Sequence, residues 1–384
     1  MTTPAYDALI LVDPRFMGGT AMAVETDVRA LQSGGLKVGL HFVNSTGFFQ
    51  LHETPNPKLS ALLDLPGVEP VRDDRPARAR AAFFHHPEPF QTRITNPIIV
   101  EAAASVVICH QAPFKGDGAL GYDPFTIQRR IARQFRTNPF WAPISGICRA
   151  QLSSFAPLLR LTEQDWPNSF HTGEWQPGRT KFTSQVLTVG RHGRPHPDKW
   201  GDTPAGIAAS LPADAQTRIR TMGTDRAFFT SMGLDTAAWD ILPFNAEPVP
   251  AFLGSLDVFS YFHHPRWTET FGRTVAEAML MGARCILQPG LEATFGRHAI
   301  YCAPQEVSAA LDTLRADLPG ARAAAMAARE WCITSFAADA VPARFESLAR
   351  DRGTLSRQGR IAASPLTAAR RWAGFHRRRL RSKA

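Results

Sequence analysis

Apolar residues along this chain gather in continuous runs of strand length, separated by stretches of helical periodicity. The first run, ALILV at residues 8–12, leads into DPRFMGGTA and then MAVETDVRALQSGG, whose apolar positions recur at helical spacing until a Gly-Gly stop. KVGLHFV, ARAAFFHH and ASVVICH repeat the strand-like run downstream. Runs that are apolar throughout mark strands buried on both faces, and they predict a parallel sheet covered by helices. The pattern restarts at residue 185 with QVLTVG and the loop GRHGRPHPDKW, followed by the short runs RIRTMG, WDILPF, LDVFSYF, CILQP and HAIYCA. Between the two series, DWPNSFHTGEWQPGRT combines Pro, Gly, Asn and Trp without periodicity and reads as a linker.

The predicted architecture is α/β, with two doubly wound Rossmann-like domains facing each other across a cleft. Residues 1–165 form the N-terminal domain, 166–180 the linker and 181–334 the C-terminal domain. A crossing helix over 335–352 is expected to pack towards the N-terminal domain, ahead of a basic tail at 353–384. Sheets of this kind bind ligands at the carboxyl ends of their strands.

Length and composition support two folded domains. The chain has 384 residues, beyond the roughly 250–300 at which single cores stop growing. Its 44% apolar and 20% charged residues are those of a globular protein. The net charge of +9 suggests nucleic acid until it is divided along the chain. Residues 351–384 hold ten Arg or Lys against Asp351, a balance of +9, which leaves the preceding 350 residues neutral. A nucleic-acid face on the folded body is therefore not expected. Five scattered cysteines without a CxxC pair fit reduced thiols in a cytoplasm. The start, MTTPAYDALILVDP, lacks the basic and long apolar regions of a signal peptide, and no apolar run reaches membrane-spanning length.

Candidate chemistry concentrates in WTETFGRTVAEAMLMGARCILQP, residues 267–289. A cap at Thr270 predicts a helix from about Phe271 to Met281 that stops at Gly282, with Glu269 before it and Glu277 inside it. Eight residues at roughly 3.6 per turn leave the two carboxylates about 80° apart, so they do not share a helix face. Backbone N–H groups of Phe271, Gly272 and Arg273 at the helix start suit hydroxyl or phosphate oxygens, and Gly272 lets a ligand approach the backbone.

Glu269 and Glu277 eight apart, with Phe271-Gly272 after the first and EAMLMG running from the second, resemble the signature of glycosyltransferase family 4. VGRHGRPHPDK and FMGGT are similar to that family's C-terminal and N-terminal Gly-containing loops. The resemblance covers nearly the whole C-terminal domain in order and the N-terminal domain more loosely. It implies the GT-B fold and a retaining, metal-independent, hexosyl-type transferase that takes a nucleoside-diphosphate sugar as donor substrate, without a cofactor. By this resemblance Glu269 accepts hydrogen bonds from donor-sugar hydroxyls and Glu277 holds the ribose, both tasks for ionised carboxylates. Arg191 and Lys199 bind the diphosphate and stabilise the charge that grows on it. Gly18, Gly19, Phe271, Gly272 and Arg273 supply contacts to phosphates or sugar. Arg194 competes with Lys199 for the second basic position, and Arg284 stands where the family usually has Pro. His110 resembles a histidine near the donor sugar in relatives, and it reads equally as a satisfied histidine at a strand end.

Other readings have less support in the sequence. A glycosidase needs acid and nucleophile across one bond, which a strand-to-helix loop does not by itself arrange. The Gly18-Gly19 loop does not have the G-x-G-x-x-G spacing of a dinucleotide site, and G-x-x-x-x-G-K-[ST] is absent from the chain. His85-His86, His192 with His196, and His263-His264 are poor zinc pairs, being adjacent or in a Gly- and Pro-rich loop. The tail SPLTAARRWAGFHRRRLRSKA sets Trp372 and Phe375 three apart among Arg370, Arg371, Arg377, Arg378, Arg379 and Arg381. It reads either as a solvated end or as a basic helix on an anionic membrane surface, where each basic residue contributes about 1 kcal/mol.

The sequence thus predicts a cytoplasmic transferase, peripheral on the inner face of a membrane if the tail binds lipid, that acts on a glycan or lipid-linked acceptor in cell-surface polysaccharide synthesis. A sugar-nucleotide epimerase or phosphorylase on the same fold, or a non-catalytic carbohydrate-binding relative, is the alternative.

Overall fold

The computed structural model describes residues 5–50, 52–72, 74–155, 158–351, 353 and 365–381. The chain divides into two units, Met1–Phe170 with Ala338–Ala384, and His171–Ala337. In the first, strands β1 (Tyr6–Val12), β2 (Val38–Phe42), β3 (Val68–Pro70), β4 (Ala77–His85), β5 (Val100–Cys109) and β6 (Phe140–Pro143) form one sheet in the order β3-β2-β1-β4-β5-β6. All its pairings are parallel, and Ile10 stands opposite Leu40 on one side and Phe83 on the other. In the second, β7 (Leu187–His192), β8 (Thr217–Met222), β9 (Trp239–Leu242), β10 (Val258–Tyr261), β11 (Arg284–Leu287) and β12 (Ile300–Tyr301) run β12-β11-β10-β7-β8-β9, again all parallel.

The two sheets have the same order when each is counted from its own first strand, and in both the winding reverses beside that strand. The reversal lies between β1 and β4 in one unit and between β7 and β10 in the other. Loops leaving adjacent strands there turn to opposite faces and open a crevice at the carboxyl edge.

Central strands are buried on both faces: in the first unit Leu9, Leu11, Phe84 and Val107 line one face of the sheet, and Ala8, Ile10, Val12 and Phe83, equally buried, line the other. The second has Val189, Ile219, Val258 and Ile286, packed with Ile207, Leu311 and Ala325 from flanking helices. Edge strand β3 has a single buried residue, Val68, and β6, although buried throughout, is only four residues long and ends in Pro143.

Residues 166–180 are divided between the units. Trp166 donates from Nε1 to Asp27 at 2.9 Å in the first, while Arg329 donates to the carbonyl of Trp175 at 3.3 Å in the second. The helix Val341–Arg350 packs on the helix Gly19–Ser33 and on β4 and β5 of the first unit. Part of the tail forms a helix, Pro365–Arg381, whose Phe375 is fully buried in the first unit's core. The free apolar pair expected of Trp372 and Phe375 is therefore split, because Phe375 points inward while Trp372 is 46% exposed. Residues 354–364 and 382–384 of the expected tail lie outside the described residues, as do the side chains of Arg371, Arg378, Arg379 and Arg381.

Candidate functional site

In the second unit the expected residues meet at the carboxyl edge beside the β7/β10 reversal. Arg191 and His192 end β7, Lys199 lies in the following loop, and Glu269 to Gly272 follow β10. A close contact of two loops fixes this arrangement. A Cβ on Gly223, whose φ is +110°, would fall 1.7 Å from the Gly193 carbonyl oxygen, so only glycine lets the β8 loop support the β7 loop there.

The Arg191 guanidinium is buried between two rings, 4.1 Å from the centroid of Trp200 and 4.7 Å from that of Tyr261. It donates to the carbonyl of Phe262 at 2.7 Å and to the carbonyl of Lys199. Burial lowers its pKa to about 10, opposed by Tyr261 and Glu269, so it stays protonated at neutral pH. Sequence reasoning sends this group to a diphosphate. In the structure it ties the Lys199 loop to the residue that follows β10.

Lys199 projects from that loop. Its Nζ donates to Glu269 Oε2 at 2.5 Å and to the Tyr261 hydroxyl at 3.4 Å, and lies 4.5 Å from the Trp267 ring centroid. Tyr261 donates to the same carboxylate oxygen at 2.6 Å. Burial pushes the Glu269 carboxyl up, but the Lys199 charge and the bonds from Lys199 and Tyr261 outweigh it and hold the group below its ordinary value. Both bonds fall on Oε2, and Oε1 accepts none among the described residues. Arg194, the competing basic residue, is exposed in the same loop and near enough to act on Tyr261 electrostatically.

The helix after Glu269 runs Arg273–Leu280, beginning two residues later than its sequence suggests. Its N-cap is Gly272, in the left-handed conformation at φ +86°, and not Thr270, which is buried. The reason is geometric: the chain turns into the helix at an angle open mainly to glycine. Phe271 turns its ring into the core against Phe336 and Phe295, which leaves only its backbone for a ligand. Glu277, one turn in, has Oε1 3.7 Å from Arg273 Nε and Oε2 3.3 Å from His192 Nε2. That buried ring nitrogen makes no hydrogen bond among the described residues.

Neighbouring residues of one strand thus lie towards both glutamates: Arg191 bonds the backbone carbonyl of Lys199, whose ammonium bonds Glu269, and His192 Nε2 stands 3.3 Å from Glu277 Oε2. His192, Tyr261, Trp200 and Trp267 are absent from the residues picked out of the sequence. His192 was visible there only as half of a weak metal pair.

In the first unit, Gly18 caps the helix Gly19–Ser33 at φ +66°, directly after β1. Between them Arg15 forms a bidentate pair with the fully buried Asp13, at 2.8 and 2.6 Å, and Ser45 Oγ donates to the same carboxylate at 2.7 Å. His110 follows β5, with its Nε2 3.1 Å from His85 Nδ1. His86 adopts a left-handed φ of +68°, costly for a residue with a Cβ, and its ring lies tilted against Phe16 with centroids 4.5 Å apart. Burial, then the nearby His110, pushes both His85 and His86 well below the usual imidazole range, which keeps them neutral. Glu88 beside them is raised to about 7 by burial, against the pull of Lys115. Gly18, Gly19 and His110 therefore share one strand edge, while the remaining candidates share the other.

Among the described residues no three His, Cys, Asp or Glu side chains converge as metal ligands, and no helix is long and apolar enough to cross a membrane. No family model matches the chain, and no curated protein matches it in sequence. Solved structures do match. HepE of Anabaena in complex with UDP is similar over 88% of this chain and 98% of its own, at 14% identity and a TM-score of 0.60. A glycosyltransferase from Rickettsia africae covers 90% and 99% at 12% identity and 0.58, and OtsA covers 90% and 99% at 11% and 0.56. At such identities the likeness concerns the fold, and the two six-stranded parallel sheets of this chain form the GT-B fold of these glycosyltransferases.

Proposed function

We propose that the protein is a retaining, metal-independent glycosyltransferase that moves a hexose from a nucleoside-diphosphate donor to a glycan or lipid-linked acceptor. The observation that carries this reading is the Lys199–Glu269–Tyr261 cluster joined through Arg191 and His192 to Glu277 at the strand reversal of the second unit. Similar solved structures hold UDP and glucose, or UDP-glucose, in HepE.

In this reading Lys199, with Arg194 beside it, faces the diphosphate and stabilises the charge that develops on it. Glu269, held ionised, accepts from a sugar hydroxyl through Oε1, and Glu277 accepts from the ribose. Gly272 and Arg273 at the helix start meet phosphate or sugar oxygens. The bond from the anomeric carbon to the phosphate oxygen breaks as the acceptor oxygen bonds that carbon. The released electron pair stays on the diphosphate, which takes the acceptor's proton. Arg191 acts as a positioning residue that sets the Lys199 loop. Gly18, Gly19 and His110 belong to the acceptor-side unit. Cytoplasmic nucleotide sugars would supply the donor, and cell-surface polysaccharide synthesis is the proposed setting.

A screen of nucleotide sugars by thermal shift and slow hydrolysis tests this. One nucleoside diphosphate should raise the melting temperature, and its sugar should be released slowly without acceptor. Absence of stabilisation by every nucleotide tried would remove the basis for the reading. Epimerised donor, or transfer to inorganic phosphate, would replace it with the alternative chemistry.

A further inference from the structure

The helix Pro365–Arg381 takes no part in the site above, yet its sequence holds Arg370, Arg371, Arg377, Arg378, Arg379 and Arg381 and no acidic residue. It is fixed to the first unit through Phe375, which lies edge-on to Phe155 at 4.6 Å and to Phe125 at 5.5 Å. At about 100° per residue, Leu366, Ala373 and Leu380, spaced seven apart, fall on the side of the helix away from Phe375. Their surroundings agree with that geometry. Leu366 is 62% and Leu380 72% exposed, and Ala373 between them is exposed as well. The exposed Arg370 and Arg377 flank this row, and Trp372 stands at its shoulder with its ring against His376 at 4.2 Å.

A helix that only covered a core would present polar residues outward. This one is apolar on two sides, anchored by the inner side and, among the described residues, uncovered on the outer. We infer that the outer face docks on an anionic lipid surface, with Leu366, Ala373 and Leu380 at the headgroup boundary and the flanking arginines on lipid phosphates. Charge selects this occupant. Residues 351–384 carry the chain's entire net +9 while the rest is balanced, so attraction to an anionic surface acts on this end and orients the unit that Phe375 anchors. Nucleic acid offers the same phosphates but no apolar layer for a row of leucines. The inference does not depend on the glycosyl-transfer reading.

The test is flotation of the full chain with vesicles of phosphatidylcholine alone or with about one third phosphatidylglycerol, with a fluorescent DNA duplex as a second probe. The expected result is binding at least about tenfold stronger to the anionic vesicles and lost at about 0.5 M salt. Leu366→Ser with Leu380→Ser, and separately Arg370→Glu with Arg377→Glu, should each weaken it at least about tenfold at an unchanged melting temperature. Both pairs are exposed, so folding is spared. No vesicle binding, leucine variants that bind like the wild type, or duplex bound as tightly as vesicles would each overturn the inference.

Discussion

Replacing Lys199 by Met removes the ammonium while keeping an apolar stem beside Trp267. The two partners of the ion pair are only 16% and 14% exposed, so the pair is not a solvent-screened surface bridge worth under about 1 kcal/mol. Its loss leaves Glu269 with the Tyr261 hydroxyl as its one remaining donor, and a stranded, largely buried carboxylate costs about 1–3 kcal/mol. For a domain of this size that lowers Tm by about 2–12 °C. On the chemical side, removing one preorganised positive group from a developing anion costs about 2.7–4 kcal/mol, or 100- to 1,000-fold in kcat.

The variant should also gain a pH dependence that the wild type lacks. In the wild type Lys199 holds the Glu269 carboxyl down, so the stability it contributes is present above the unfolded-state pKa and lost only as pH falls through the lower folded value. Without Lys199 the opposing effect of burial dominates and raises the carboxyl above its ordinary value. Residual transfer should then fall between about pH 7 and 5 as the carboxylate protonates, while Tm rises over the same range because the folded state now binds the proton more tightly than the unfolded chain; the wild type stays flat in both. Steady-state kinetics and thermal melts over that range decide the matter. A kcat within about threefold of the wild type and an unchanged pH profile would refute the assignment of Lys199 to the leaving group.

Glu269→Ala should abolish transfer while nucleotide binding stays measurable by calorimetry, whereas Glu277→Ala should weaken nucleotide binding itself by about tenfold or more; the reverse pattern would mean the two roles are exchanged. Arg191→Lys keeps the charge but loses the planar contacts with Trp200 and Tyr261, and should cost about 2 kcal/mol or more and a Tm loss of about 4–8 °C. An undiminished Tm with weaker donor binding would mean instead that Arg191 touches phosphate. Gly272→Ala sets a Cβ 3.2 Å from Phe295 at a φ of +86°, and should destabilise the second unit by about 1 kcal/mol and loosen donor binding; a neutral effect on both would show that the helix entry tolerates a side chain.

Central strands were legible because ALILV and LDVFSYF are apolar throughout, a pattern that burial on both faces imposes directly. Edge strands β3 and β6 were not, since β3 has one buried residue and β6, though buried throughout, is only four residues long and ends in a proline. Glu269 and Glu277 could be picked out from their motif. Their partners could not, because Tyr261 and His192 read as ordinary strand residues until β7 and β10 are laid side by side. Arg191 is the instructive case. Its sequence position says basic residue at a strand end, and only the rings of Trp200 and Tyr261, from two different segments, decide what its head group touches. The helix start moved from Thr270 to Gly272 for a similar reason, since capping preference is local and the entry angle is set by the fold.

Arg191 and His192 are joined by one peptide bond, and each leads to a different glutamate. If the proposed donor spans both glutamates, a displacement at one end of it is passed towards the other through a stiff covalent link. It does not have to pass across packed side chains that could absorb it. Sugar and nucleoside portions of a ligand should consequently report on each other thermodynamically, so that filling one half sharpens selection in the other, and variants that retune either half should seldom act alone.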